Sequence, residues 1–167
     1  MNTDLEKAKK MLDASSYTCV LCKNEQIFTA SQRGVRPLLD WLDGGTDLSG
    51  ASAADKVVGK AAAMLYCLLG VRAVYAGVIS QPALQMLQSY GIETSFGQLV
   101  PFIENRDKSS LCPMEEATRS LSDPRDAPAA IREKLRQLLH NEKTLLWKNP
   151  QEHFESPDAL HRGINFS

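Results

Sequence analysis

The chain has 167 residues, 43% of them hydrophobic and 23% charged, which fits one globular domain with room for a terminal extension. Nineteen basic residues stand against twenty acidic ones, and a net charge of −1 gives no basic footprint, so nucleic acid is disfavoured as a partner. The start, MNTDLEKAKKMLDASS, lacks the apolar run of a secretory leader, and the longest apolar segment, AAAMLYCLLGV, is too short to span a bilayer. The expectation is therefore a cytoplasmic protein without a membrane partner, its Cys19, Cys22, Cys67 and Cys112 reduced.

In chain order, residues 4–13 are predicted as a short helix with Leu5, Ala8 and Met11/Leu12 on one side. YTCVLCK (17–23) and QIFTA (26–30) read as two strands of a hairpin around Lys23-Asn24-Glu25. Residues 31–43 begin as a turn and become a short helix. GGTDLSG is a loop, and residues 52–69 make the longest helical pattern, stopped by Gly70. RAVYAGV (72–78) has the β-branched and small residues of a buried strand. A helix follows over 80–91, between a Ser start and a Gly stop, and IETSF (92–96) is a further strand.

Pro101 makes QLVPFIENR either two short pieces or the beginning of a helix. CPMEEATRSL (112–121) is predicted helical with Pro113 in its first turn. Residues 126–143 form the clearest amphipathic helix, with Ile131, Leu135, Leu138 and Leu139 at helical spacing. The domain is expected to end near residue 140. Residues 141–167 then form a polar extension or docking tail with isolated Trp147, Phe154 and Phe166. A hairpin followed by strand–helix–strand crossovers implies an α/β fold, a three-layer sandwich whose mixed sheet is covered on both faces. Ligands of such sheets sit beyond the carboxyl ends of strands, at helix starts, which singles out Ser52, Ser80 and Cys112.

GASAADKVVGKAAA (50–63) joins small residues to an acid–base pair. Read as a helix start, Ser52 caps it and Asp55, three residues on, completes a capping-box-like pair. Lys56 opposes the helix dipole, and Lys60 repeats the charge one turn later, a pairing that a bound anion would relieve. In SLCPMEEA the Cys112 thiol stands at a helix start, where backbone N–H groups favour a thiolate and Glu115 and Glu116 oppose it. The histidines, His140, His153 and His161, fall in the last helix and tail, so a Cys–His enzyme is a poor fit. CVLC (19–22) lies in a strand, its thiols facing opposite sides, and reads as core rather than as a redox or zinc motif. Walker, Rossmann and G-x-S-x-G motifs are missing, and no cofactor is expected.

The segments RGVRPLLDWL, GASAADKVVGKAAAMLYCLLGVRAVYAGVIS, YGI, LVPFIENR and CPMEEA resemble an uncharacterised bacterial family, domain of unknown function 1893, over roughly residues 5–140. AADKVVGKAAA and CPME carry the resemblance most specifically. It implies a cytidine-deaminase-like fold. Zinc deaminases bring a His or Cys and a catalytic Glu from one helix start, and two Cys from P-C-x-x-C at another. The first corresponds to Ala54-Asp55-Lys56 or its neighbours. The second corresponds to Pro82-Ala83-Leu84-Gln85-Met86, with alanine and methionine at the cysteine positions. No zinc-dependent deamination is expected from such residues.

Three readings stay open. One is a module that binds a small anionic or nucleotide-like ligand at helix starts, with Ser52, Lys60, Ser80, Gln81 and Glu115 as contacts. Another is a metal-free enzyme in which Asp55 or Lys56 handles a proton and Cys112 is a candidate nucleophile. The third is a homo-oligomeric assembly protein. Arg33, Arg36 and Arg106 are further candidates for an anion site, each more simply a surface arginine.

Overall fold

The computed structural model describes residues 2–105, 108 and 110–148, with side chains to residue 142. Helix α1 (Thr3–Ala14) is capped by the Asn2 side chain, which accepts the Leu5 N–H, and buries Leu5, Ala8 and Leu12. The hairpin follows as expected, β1 (Cys19–Lys23) and β2 (Gln26–Ala30) turning through Asn24, whose φ of 57° is one that asparagine tolerates. Then come α2 (Arg36–Asp43), β3 (Ser52–Val58), α3 (Lys60–Leu69), β4 (Ala73–Ser80), α4 (Gln81–Ser89), β5 (Glu93–Val100) and α5 (Pro113–Thr118). A 3₁₀ turn, Pro124–Asp126, leads into α6 (Ala127–Lys148). The last helix crosses the expected domain end at residue 140 without a break. Arg106, His153, Phe154, His161 and Phe166, and the tail from residue 149, lie outside the described residues, as does the Trp147 side chain.

The sheet order is β2-β1-β3-β4-β5, with β1 antiparallel to both neighbours and β3, β4 and β5 mutually parallel. Helix α1 covers one face through Ala8, Leu12, Val20, Cys22 and Ala54. The main core lies on the other face, where α3 is central and α2, α4, α5 and α6 pack against it. Seven of its ten residues are buried, Met64 and Leu65 completely, and burial of each such side chain contributes about 2 kcal/mol. Cys19 and Cys22 fall in different cores, on opposite faces, as their spacing requires. The α/β class, the mixed sheet and the two covered faces agree with the sequence expectation.

One expectation is corrected. The helix predicted over 52–69 is two elements, because Ser52–Val58 is a central strand and the helix begins only at Lys60. Alanine favours a helix in isolation, but here Ala53 and Ala54 are fully buried between the two cores, where small side chains let both helix layers approach the sheet. Ser52 is therefore no helix cap. Its hydroxyl accepts from Asn2 Nδ2 at 2.8 Å. Asp55 and Lys56 are strand residues, so the capping-box and dipole arguments made for them lapse. Strand β5 also outruns its predicted end, since Gln98, Leu99 and Val100 pair with Val78, Ile79 and Ser80 before Pro101 stops it.

A row of irregularities crosses the three parallel strands. Ala53 and Val58 both enter the main core although they stand an odd number of positions apart, and so do Ala76 and Ile79. The ladders lack the pairs Lys56–Gly77 and Gly77–Gly97. Both ladders are interrupted at the same level without a change of register, and strands β4 and β5 carry glycine there. A Cβ on Gly77 would stand 2.7 Å from the Lys56 carbonyl oxygen, and one on Gly97 would stand 2.9 Å from that of Gly77. These are backbone atoms that cannot swing aside. Gly77→Ala is accordingly expected to lower unfolding free energy by about 2–3 kcal/mol, measured by urea denaturation.

Candidate functional site

Helices α3 and α4 both begin at the carboxyl end of the parallel strands, and their starts share one anion. Gly59, at the N-cap of α3, has no side chain to offer, whereas Ser80, at the N-cap of α4, accepts the Ala83 N–H at 3.3 Å. The missing cap comes from α5. Glu115 Oε1 accepts the Lys60 N–H and, at a longer 3.4 Å, the Ser80 hydroxyl, while Oε2 accepts the Ile103 N–H at 3.0 Å. Glu115 is only 4% exposed and Ser80 is fully buried. A carboxylate there satisfies orphan amide donors and suits the positive end of the helix.

Close approach is what Gly59 supplies. A Cβ on it would lie 2.9 Å from Glu115 Oε1 and 3.3 Å from Ile103 Cγ1. The Lys60 amine donates to the Arg119 carbonyl at 3.1 Å. Partial burial holds its pKa below the usual lysine value, against the pull of Glu115. Cys112, half-buried at the N-cap of α5, donates its N–H to the Ile103 carbonyl, and Gln81 is exposed in the first turn of α4. Five predicted residues, Lys60, Ser80, Gln81, Cys112 and Glu115, thus belong to the same helix starts. Gly59 and the Ile103 N–H complete the group. Gly59 falls inside the helix expected over 52–69 and was missed for that reason, and the Ile103 amide carries no mark in sequence.

Asp55 belongs to a second group. Its Oδ2 accepts the Tyr66 hydroxyl at 2.6 Å, that hydroxyl lies 3.1 Å from Cys19 Sγ, and Oδ1 takes the Val57 N–H at 3.2 Å. The Val57 amide follows directly on the missing ladder pair, so Asp55 holds the irregular backbone with one oxygen and the core of α3 with the other. Burial pushes the carboxyl up to about 6 from 3.8, countered by the Tyr66 hydroxyl and then by the Val57 and Lys56 N–H groups. The Tyr66 hydroxyl and Cys19 thiol are raised as well, by burial first and then by the adjacent Asp55. Tyr66, the lone hydroxyl in KAAAMLYCLL, is the member that sequence reasoning missed.

Lys56, the neighbour of Asp55, is exposed and meets that group through its backbone N–H, and Ser52 lies with Asn2. Among the described residues, no hydrogen bond links Asp55 to Cys112 or to the Glu115 group. The helix start assigned to Ala54-Asp55-Lys56 is really Gly59-Lys60, because β3 occupies the earlier residues. Ala83 and Met86 are buried in the first turns of α4. Among the described residues, no three His, Cys, Asp or Glu side chains gather as a metal site would need. Nor is any helix among them long and apolar enough to cross a membrane.

These features define an α/β protein with a mixed five-stranded sheet and two helix starts closed by an internal carboxylate. Residues 7–135 match the family described as TM1506: Domain of unknown function (DUF1893), and the chain belongs to that family. The crystal structure of the DUF1893 family protein TM1506 from Thermotoga maritima is similar, with a TM-score of 0.73 at 27% identity, over 80% of this chain and 92% of that one. A diaminohydroxyphosphoribosylaminopyrimidine deaminase/5-amino-6-(5-phosphoribosylamino)uracil reductase from Thermotoga maritima also matches, with a TM-score of 0.38 at 15% identity, over 70% of this chain and 40% of that one. No curated protein matches the chain.

Two outcomes follow from the geometry. Gly59→Ala should destabilise the wild-type background by about 1–2 kcal/mol yet be nearly neutral beside Glu115→Ala, a coupling read from a double-mutant cycle in urea. For Asp55, a folded pKa above the unfolded one stabilises the protein below about pH 4, and that contribution is lost as pH rises through about 6. Asp55→Asn should match the wild type at about pH 4 and exceed its stability by about 1–2 kcal/mol at about pH 7, the carboxyl being partly screened. Thermal unfolding across that range checks it.

Proposed function

We propose that the protein binds a small anionic or nucleotide-like ligand where α3 and α4 begin. The single observation that supports this is the hold on Glu115, whose carboxylate takes donors from Lys60, Ile103 and Ser80 at once. The Lys60 amide and the Ser80 hydroxyl at two helix starts, joined by the Ile103 amide beyond β5, make a donor set that suits an anion. The resident carboxylate rides on α5, a six-residue element joined to the body by few other anchors than its own packing on α3 and α6. A phosphate or carboxylate of the ligand takes the place of that side chain, and Gln81 and the Lys60 amine stand at the rim to contact the rest of it.

The test is anion rescue, followed by thermal shift. Glu115→Ala leaves buried N–H groups without an acceptor and should lose about 2–3 kcal/mol. Acetate, phosphate or a nucleoside monophosphate should restore part of that stability, and each should stabilise this variant more than the wild type. A variant that gains nothing from any of the three anions overturns the proposal.

The metal-free enzyme is the second reading, favoured by a carboxyl at Asp55 that titrates near neutrality beside a tyrosine hydroxyl. In that reading Asp55 transfers the proton with Tyr66 as its partner. Among the described residues Cys112 makes no hydrogen bond to that pair, and Lys56 meets Asp55 through its backbone N–H.

A further inference from the structure

Strand β5 forms one edge of the sheet, eight residues long, and all but Thr94 and Val100 are exposed. Its sequence, ETSFGQLV, has a single charge, no lysine and no proline, so it carries little of the protection that edge strands usually show. Of the seven large apolar side chains left exposed among the described residues, Phe96, Leu99 and Phe102 lie on this strand or just beyond its end. The opposite edge, β2, is five residues long and has only Ile27 in that group.

The charges at the two ends of β5 are complementary. Glu93 opens the strand and makes no ion pair among the described residues. Past its other end, the Arg119 guanidinium lies over the Phe102 ring, 5.6 Å from the centroid, also without a carboxylate partner among the described residues. A two-fold axis through the middle of the strand pairs it antiparallel with itself and brings each Glu93 toward the other copy's Arg119 end. The register that sets Glu93 level with Val100 of the second copy also sets Phe96 level with Gly97, an aromatic beside a bare backbone.

We infer that β5 is the interface at which two copies of this chain join, edge to edge, in a closed antiparallel dimer. The occupant is a second copy because the free hydrogen-bonding edge, the apolar side chains and the opposite charges repeat at matching positions under that one rotation. Closure by the two-fold leaves no open β5 edge for further growth.

Light scattering on the eluting full-length chain should give twice the monomer mass of 18.4 kDa at micromolar concentration. Glu93→Arg places like charges at both ends and should weaken association about tenfold or more. Combining it with Arg119→Glu should restore the dimer, which a general loss of folding would not. Phe96→Lys should also give monomers, with helix content unchanged by circular dichroism. Amide exchange over residues 93–100 should slow as concentration rises. A wild-type monomer overturns the inference, as does an oligomer that keeps growing with concentration. A dimer indifferent to both Glu93→Arg and Phe96→Lys also overturns it and places the contact on another surface.

Discussion

One buried carboxylate ties together four separate parts of the chain. Glu115, carried by α5, meets the first amide of α3, the hydroxyl at the β4–α4 junction and the Ile103 amide that follows β5. Burying an ionised group costs several kcal/mol unless its oxygens are satisfied, and here both are. The asymmetry matters more than the net gain. Taking away the acid leaves the Lys60, Ser80 and Ile103 donors without this acceptor, at three places far apart in sequence.

Asp55 plays a comparable part within the sheet. Its two oxygens join an irregular strand to the middle of α3, through the Val57 amide and the Tyr66 hydroxyl. The two acids differ in surroundings. Glu115 is met by backbone amides at a helix start. Asp55 faces a tyrosine and a thiol within the core and is raised toward neutrality by burial. A protein with both arrangements has one carboxyl that ties helix starts together and another, inside the sheet, whose charge changes near pH 6.

Much of the fold was legible because its signals were local. The hairpin around Asn24, the Ser80 cap of α4, the Gly70 stop of α3 and the apolar spacing of α6 depend on residues close in sequence. The stretch 52–58 misled because Ser-Ala-Ala-Asp-Lys suits a helix, and only its place between two helix layers makes it a strand. That error moved Asp55 and Lys56 onto a helix start that begins at Gly59. The candidate site was half legible for a similar reason. Ser80 and Glu115 each mark a helix start, whereas Lys60 falls inside the helix expected over 52–69; their meeting depends on how α5 folds back, and the Ile103 amide has no sequence signature.

The aligned gaps in the ladders of β3, β4 and β5 bear on how the sheet can misassemble. Parallel strands with plain alternation can slip against each other and still offer hydrogen bonds. Here a slip of β4 along β3 would carry Gly77 away from the Lys56 carbonyl and bring the side chain of a neighbouring residue against it. The same displacement would spoil the fit of Gly97 on Gly77 in the next strand. Two glycines therefore act as a vernier between strands far apart in the chain, rejecting misaligned pairings before the helices close over them.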